Sequence, residues 1–222
     1  MTIISFSGID GAGKSTQIAE CAAWLSHSGL RTAVITFWDD IAVGSKPREL
    51  LSRKIFKGDS GVGTPEQPLN RRDKNVTSWP VTLLRFLLYF VDAISLRIKV
   101  DAFRRRDLDC LILDRSIYDE LANLPQTSRF TRIFTGIVLK IAPKPDAAFL
   151  IDADPALARA RKPEYPLDFL QRNRRAYLSL ARLVDNMTIL KPGSVESLKM
   201  LIRKKTLRAL WVGSGPTFAV SR

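Results

Sequence analysis

Short apolar runs alternate with longer amphipathic ones along this chain. Thr2–Ser7 reads as a buried strand, and over residues 14–26 apolar Ile18, Ala22 and Leu25 recur at helical spacing until Gly29 stops the helix. The β-branched run 32–37 then completes strand, loop, helix, strand, the unit that closes through a right-handed parallel crossover. Regularity fades from 39 to 79, where Gly58, Gly61, Gly63, Pro65 and Pro68 punctuate a charged stretch. A connection this long either shapes a substrate pocket or is slack. It is followed by a long helix over 81–106 and by an apolar strand over 110–113 with Asp114 and Arg115 at its end. Ala147–Ile151 and Met187–Leu190 read as further strands, and Pro155–Arg161, 167–184 and 194–210 as helices. The pattern predicts an α/β fold with five parallel strands flanked by helices. Residues 1–212 are expected to form one domain and 213–222 a loose tail.

Composition narrows the class. At 222 residues, 45% hydrophobic and 26% charged, the chain suits one core of this kind. The apolar stretch 81–96 is interrupted by Arg85 and Asp92, short of the roughly 18 apolar residues a membrane span needs, so no membrane is expected. The opening residues have no basic start or small-residue cleavage site, which predicts a cytoplasmic protein. Cys21 and Cys110 fall inside apolar runs and read as core thiols, with no metal-type spacing beside the single His27. The net charge of +13 suits handling of polyphosphates. The basic residues are scattered instead of forming one arm with interleaved aromatics, so nucleic acid is not the expected partner.

The chemistry is carried by Gly8-Ile9-Asp10-Gly11-Ala12-Gly13-Lys14-Ser15-Thr16, which fits G-x-x-x-x-G-K-[ST] and sits between a strand and a helix, as that motif requires. Its glycines let successive backbone N–H groups curl into an anion nest, and the helix after it adds its positive end. Lys14 is expected to reach the outer phosphates of ATP, and the Ser15 hydroxyl to hold Mg²⁺. With this loop the fold class becomes a P-loop NTPase-type three-layer sandwich. Asp114 lies at the carboxyl end of a strand, where such sheets gather ligands, and is a candidate for holding Mg²⁺ or orienting an attacking oxygen; Arg115 is a candidate phosphate grip. Arg159, Arg161 and Lys162 precede Pro163 and Pro166 on what reads as a short lid, about 159–167, able to bring cations to a transferred phosphoryl group. A solvated basic face is the competing reading of that cluster.

Three stretches resemble the thymidylate kinase family of nucleoside monophosphate kinases: 6–17 around the loop, Leu113-Asp114-Arg115, and Pro145-Asp146 through Asp152-Ala153-Asp154-Pro155. The resemblance covers nearly the whole chain. It implies that Asp10 contacts the acceptor sugar, that Arg115 binds the acceptor phosphate, and that Tyr89 stacks on the base; Asp92 and Tyr165 are further acceptor-binding candidates. Some members of the family carry an arginine inside the loop, whereas others have glycine there and supply catalytic cations from the lid. Gly11 places this chain with the second group, which agrees with Arg159 and Arg161 as lid arginines. A homodimer is expected from the same resemblance.

The chain departs from the family pattern at three places. Ala93 stands where an arginine reads the base, Trp38-Asp39-Asp40 where an arginine binds the acceptor phosphate, and Ser116 where an aromatic follows Asp-Arg. Loss of a base-reading donor weakens selectivity for thymine. Asp92 or Tyr118 are candidates to compensate, as are Arg71, Arg72 and Lys74 for the missing phosphate contact. The expected activity is transfer of the ATP γ-phosphate to a nucleoside monophosphate, with dTMP the default acceptor. The alternatives are a P-loop kinase for another acceptor (a nucleoside, polyphosphate or small metabolite) and a nucleotide-binding regulatory protein without catalysis.

Overall fold

A computed structural model describes residues 1–42, 79–124 and 128–214. Five parallel strands form one sheet in the order β2-β3-β1-β4-β5, where β1 is Thr2–Ser7, β2 Thr32–Thr36, β3 Cys110–Asp114, β4 Ala147–Ile151 and β5 Met187–Leu190. β1 lies at the centre and is buried along its whole length, as its uncharged sequence requires. Its Phe6 ring packs 5.2 Å from that of Phe149 on β4. Each such side chain taken out of water contributes about 1.5–3 kcal/mol.

Helix α1 (Lys14–His27) and the last helix, α7 (Val195–Ser214), pack on each other and on the sheet. A second helical layer holds α2 (Trp79–Arg104), α3 (Ile117–Leu121), α4 (Arg129–Ile141) and α6 (Leu167–Ala181). There α2 packs on α3 and α4, and α6 on α3 and β5. The short α5 (Pro155–Arg161) joins β4 to α6 and packs on α6. This three-layer α/β sandwich is consistent with a P-loop NTPase.

The expected strands are all present. Several features differ from the sequence reading. Two helices, α3 and α4, occupy a stretch for which the pattern gave no element; α2 begins at Trp79 and ends at Arg104; and Phe37–Ile41 forms a single π-type turn instead of opening the long connection directly. Asp40 makes that turn, its carboxylate accepting the Thr36 N–H at 2.8 Å. α7 continues through Ser214, past the expected end at 210. The connection containing Arg71, Arg72 and Lys74, and the tail from 215 onward, lie outside the described residues.

The register sets the site. Phe6 on β1 and Thr36 on β2 both pair with Asp114 on β3, and Ser7 pairs with Leu150 on β4. Gly8, Arg115 and Asp152 therefore leave the sheet at one carboxyl edge, where ligands of open α/β sheets bind.

Candidate active site

The loop turns tightly because three of its glycines take backbone angles that other residues avoid: φ is 147° at Gly8, 79° at Gly11 and 94° at Gly13, the residue that starts α1. Two of them also allow close approach of the backbone. A Cβ at Gly8 would lie 2.6 Å from the Ile151 carbonyl oxygen at the end of β4, and one at Gly11 would lie 2.1 Å from the carbonyl oxygen of Ala158 in α5. The lid helix thus rests on the loop, and Arg161 adds a longer hydrogen bond from Nη1 to the Gly11 carbonyl at 3.4 Å.

Lys14 is folded over this loop and only 8% exposed. Its ammonium donates to the carbonyls of Gly8 and Ile9, each at 2.9 Å, and lies 3.9 Å from the Asp10 carboxylate. Burial, helped by the Arg115 charge, pushes its pKa down to about 8, against the pull of Asp10, Asp119 and Asp114. Ala12 is buried, while Ser15 and Thr16 open the first turn of α1 to solvent.

Arg115 sits between the loop and the turn after β3. Among the described residues it is the one non-glycine with a positive φ, 67°, a conformation that costs about 1–3 kcal/mol and concentrates at functional sites. The turn aims its guanidinium between two carboxylates: Nη2 pairs with Asp10, and Nη1 donates to Asp119 at 3.2 Å. Burial opposes the charge, yet the carboxylates of Asp119, Asp10 and Asp114 outweigh it and raise the Arg115 pKa. Asp114, half-buried beside it, has its pKa raised by burial first, with Arg115 and Lys14 pulling the other way.

Of the predicted residues, the structure joins Gly8, Asp10, Gly11, Lys14, Arg115 and Arg161 by direct contact, with Asp114 beside them. Arg159 is partly buried on α5, and its Nε has no hydrogen-bond partner among the described residues. Tyr165 is buried and stacks on Phe169 at 5.1 Å, at the start of α6. Tyr89 and Asp92 are buried on α2, the helix tied to the turn after β2 by a 2.7 Å hydrogen bond from the Ser95 hydroxyl to the Ile41 carbonyl. Asp92 and Ala93 are each 0% exposed.

Sequence reasoning missed Asp119 and its partners. Asp119 accepts from the Ser7 hydroxyl at 2.7 Å, the Ser116 N–H at 3.0 Å and the Tyr177 hydroxyl at 2.7 Å, besides Arg115. The signal was there: Ser116-x-x-Asp119 is a capping box that opens α3 directly after Asp-Arg, and it accounts for a serine in that place. Also missed was the clasp of Arg174 on Asp152, two bonds of 2.6 and 2.8 Å that join α6 to the end of β4.

A phosphate-type loop between strand and helix, with an aspartate–arginine pair at the carboxyl end of the adjoining strand, is consistent with the class of P-loop nucleotide-binding proteins. No family model matches the chain. It is similar to three archaeal proteins named probable thymidylate kinase. That of Methanosphaera stadtmanae is 27% identical over 188 residues, 83% of this chain and 86% of the relative. That of Methanothermobacter thermautotrophicus is 28% identical over 183 residues, 80% of each. That of Archaeoglobus fulgidus is 28% identical over 217 residues, 91% of this chain and 93% of the relative. These similarities are consistent with a divergent member of the thymidylate kinase family.

Proposed function

We propose that this protein is an ATP-dependent nucleoside monophosphate kinase, with dTMP as the first acceptor to test. The observation that carries the reading is the junction of two sites: a loop built for a triphosphate, and Arg115 held within contact of that loop's own Asp10. A phosphate gripped by Arg115 lies next to the outer end of a nucleotide held by residues 8–16, the arrangement that in-line transfer needs. The archaeal relatives named probable thymidylate kinase support the same activity.

In this reading the amides of Gly8 to Thr16 bind ATP, and Lys14 leaves the Gly8 and Ile9 carbonyls to meet the outer phosphates. Arg115 positions the acceptor phosphate. Arg159 and Arg161 on α5 supply positive charge where phosphoryl charge spreads, while the lid excludes water. Tyr89, Asp92 and Tyr165 line the acceptor, and Asp10 meets its sugar.

Among the described residues no three His, Cys, Asp or Glu side chains converge, so there is no all-protein metal cage. A hydroxyl from Ser15 and a half-buried carboxylate from Asp114 instead match the sparse oxygen set that Mg²⁺ accepts, since it retains water and takes further oxygens from phosphates. Those two residues would hold it, and the metal would neutralise phosphate charge.

Ala93, fully buried, favours a second reading in which the acceptor is not thymidylate, because a methyl group donates nothing to a base. The acceptor panel decides: ADP release measured with dTMP, the other nucleoside monophosphates, nucleosides and polyphosphate. Stimulation by dTMP above all others supports the leading reading; stimulation by none of them overturns the kinase assignment.

Assembly and location belong to the same proposal. Among the described residues no helix is long and apolar enough to cross a membrane. We place the single domain in the cytoplasm as a homodimer, joined through the apolar stripe that α2 leaves exposed at Leu83, Leu87, Ile94 and Ile98, beside Phe130 and Ile133 of α4.

A further inference from the structure

Asp119 has both carboxylate oxygens fully engaged: Oδ1 accepts from Arg115 and Tyr177, and Oδ2 from Ser7 and the Ser116 N–H. A carboxylate has about four lone-pair sites, so its acceptor capacity is used up and its orientation is set from three elements at once. Two of them, β1 and the turn after β3, are rigid parts of the sheet edge. The third is α6, the helix that follows the lid.

α6 reaches the site along one face. Asn173 donates to the Asn123 side chain, just past the end of α3, at 3.4 Å, Arg174 clasps Asp152 at the end of β4, and Tyr177, one turn on, donates to Asp119. The Arg174 clasp pins together the two ends of the excursion that carries α5 and the lid residues. Tyr177 then ties the same helix to the carboxylate that orients Arg115. The phenol is buried, and its pKa is raised well above the ordinary value by burial first, so it remains a donor.

We propose that Tyr177, acting through Asp119, is a positioning residue for Arg115 and couples the post on which the lid turns to the acceptor-phosphate grip. Arg115 has two carboxylate partners of different kinds. Asp10 is on the loop that binds the donor nucleotide and is partly exposed, so an arriving phosphate can displace it; Asp119 is buried and retains its hold during that exchange. Without the Tyr177 hydroxyl, Oδ1 loses a donor and the carboxylate, still held at Oδ2 by Ser7 and the Ser116 N–H, is freer to turn, so the fixed half of the guanidinium's seat loosens. This role rests on the kinase reading, but the geometry of the seat does not.

The test compares wild type with Tyr177→Phe, which preserves ring volume, and with Asp119→Asn. Two quantities are read: steady-state kinetics with the best acceptor of the panel, and hindered rotation of the Arg115 guanidinium in arginine side-chain NMR spectra. For Tyr177→Phe the acceptor KM rises about tenfold, kcat and the KM for ATP stay within about threefold, and Arg115 rotation is freed. Asp119→Asn moves the same two quantities further in the same direction. An unchanged acceptor KM in Tyr177→Phe, or an equal loss on ATP and acceptor, overturns the proposal. If wild type shows no acceptor-dependent turnover, the kinase reading fails by itself. The NMR arm then decides the seat: freed rotation upholds it, and unchanged rotation removes it.

Discussion

Replacing Lys14 by methionine tests the electrostatics of the loop directly. In the folded chain the Lys14 ammonium is buried and faces Arg115, and its pKa falls from an ordinary 10.5 to about 8. That gap corresponds to about 3 kcal/mol by which folding disfavours the protonated amine. The sign follows from proton counting. Between about pH 8 and pH 10.5 the unfolded chain holds the Lys14 proton and the folded chain has released it, so stability from this residue rises with pH through that window. Below about pH 8 the whole cost is present. Between pH 7 and pH 9.5 wild type should therefore gain about 2 kcal/mol relative to Lys14→Met, because titrating groups remote from Lys14 cancel in the comparison and the neighbouring carboxylates and Arg115 do not titrate in that window. Urea unfolding of both proteins at the two pH values, with EDTA and without nucleotide, gives the number. A gap between them that stays constant within about 0.5 kcal/mol would refute the buried, charge-opposed lysine. The variant should also lose acceptor-dependent ADP formation at every pH, since methionine offers no charge to the phosphates.

Three further outcomes are expected. Gly11→Ala combines an unfavourable φ with a methyl driven into the Ala158 carbonyl, a loss of about 2–5 kcal/mol that should lower Tm by about 6–15 °C or, if α5 swings away instead, cut turnover; a melting point within a degree and intact turnover would refute the contact. Cys21 and Cys110 are buried, and burial raises their pKa to about 11 and about 12, so neither should react with iodoacetamide at pH 8 until the protein is unfolded, as mass spectrometry will show. Leu87→Glu together with Ile98→Glu should convert the proposed dimer to monomer in light scattering after gel filtration, with little change in Tm because both side chains are more than half exposed; a mass that does not change, whether monomer or dimer, removes this face as the interface.

What was legible in the sequence divides along physical lines. β1, β4 and β3 up to Leu113 are short, uncharged and buried, and β4 has the expected bounds to the residue. The loop was legible because its glycines, lysine and hydroxyls have few other uses together. α3 and α4 both escaped notice, but only α3 had to. α3 is one capped turn and a half, too short for any period to show, whereas α4 carries Phe130, Ile133, Phe134, Ile137 and Ile141 at plain helical spacing and was legible as a helix in the sequence. Asp119 and Tyr177 are separated by 57 intervening residues and meet only because α6 returns across α3, so no spacing rule reaches them.

The structure also gives a steric reason for Gly11 to accompany arginines in the lid. α5 comes so close to the loop that even a methyl group at residue 11 would overlap the Ala158 carbonyl, and an arginine there would have to displace the helix. Cationic help from within the loop and a helix docked on the loop are therefore alternatives, not additions. With glycine at 11, α5 rests on the backbone and carries Arg159 and Arg161 on its last turn, held in register by the Asp154 cap, whose carboxylate accepts the Ala156 and Leu157 N–H groups at 2.9 and 3.1 Å. Positive charge then arrives by docking of a helix. The backbone that receives it, the base that Arg174 clasps and the seat that Tyr177 completes all belong to one carboxyl edge of one sheet. A change that loosens α5 or α6 should reach Arg115 without touching it.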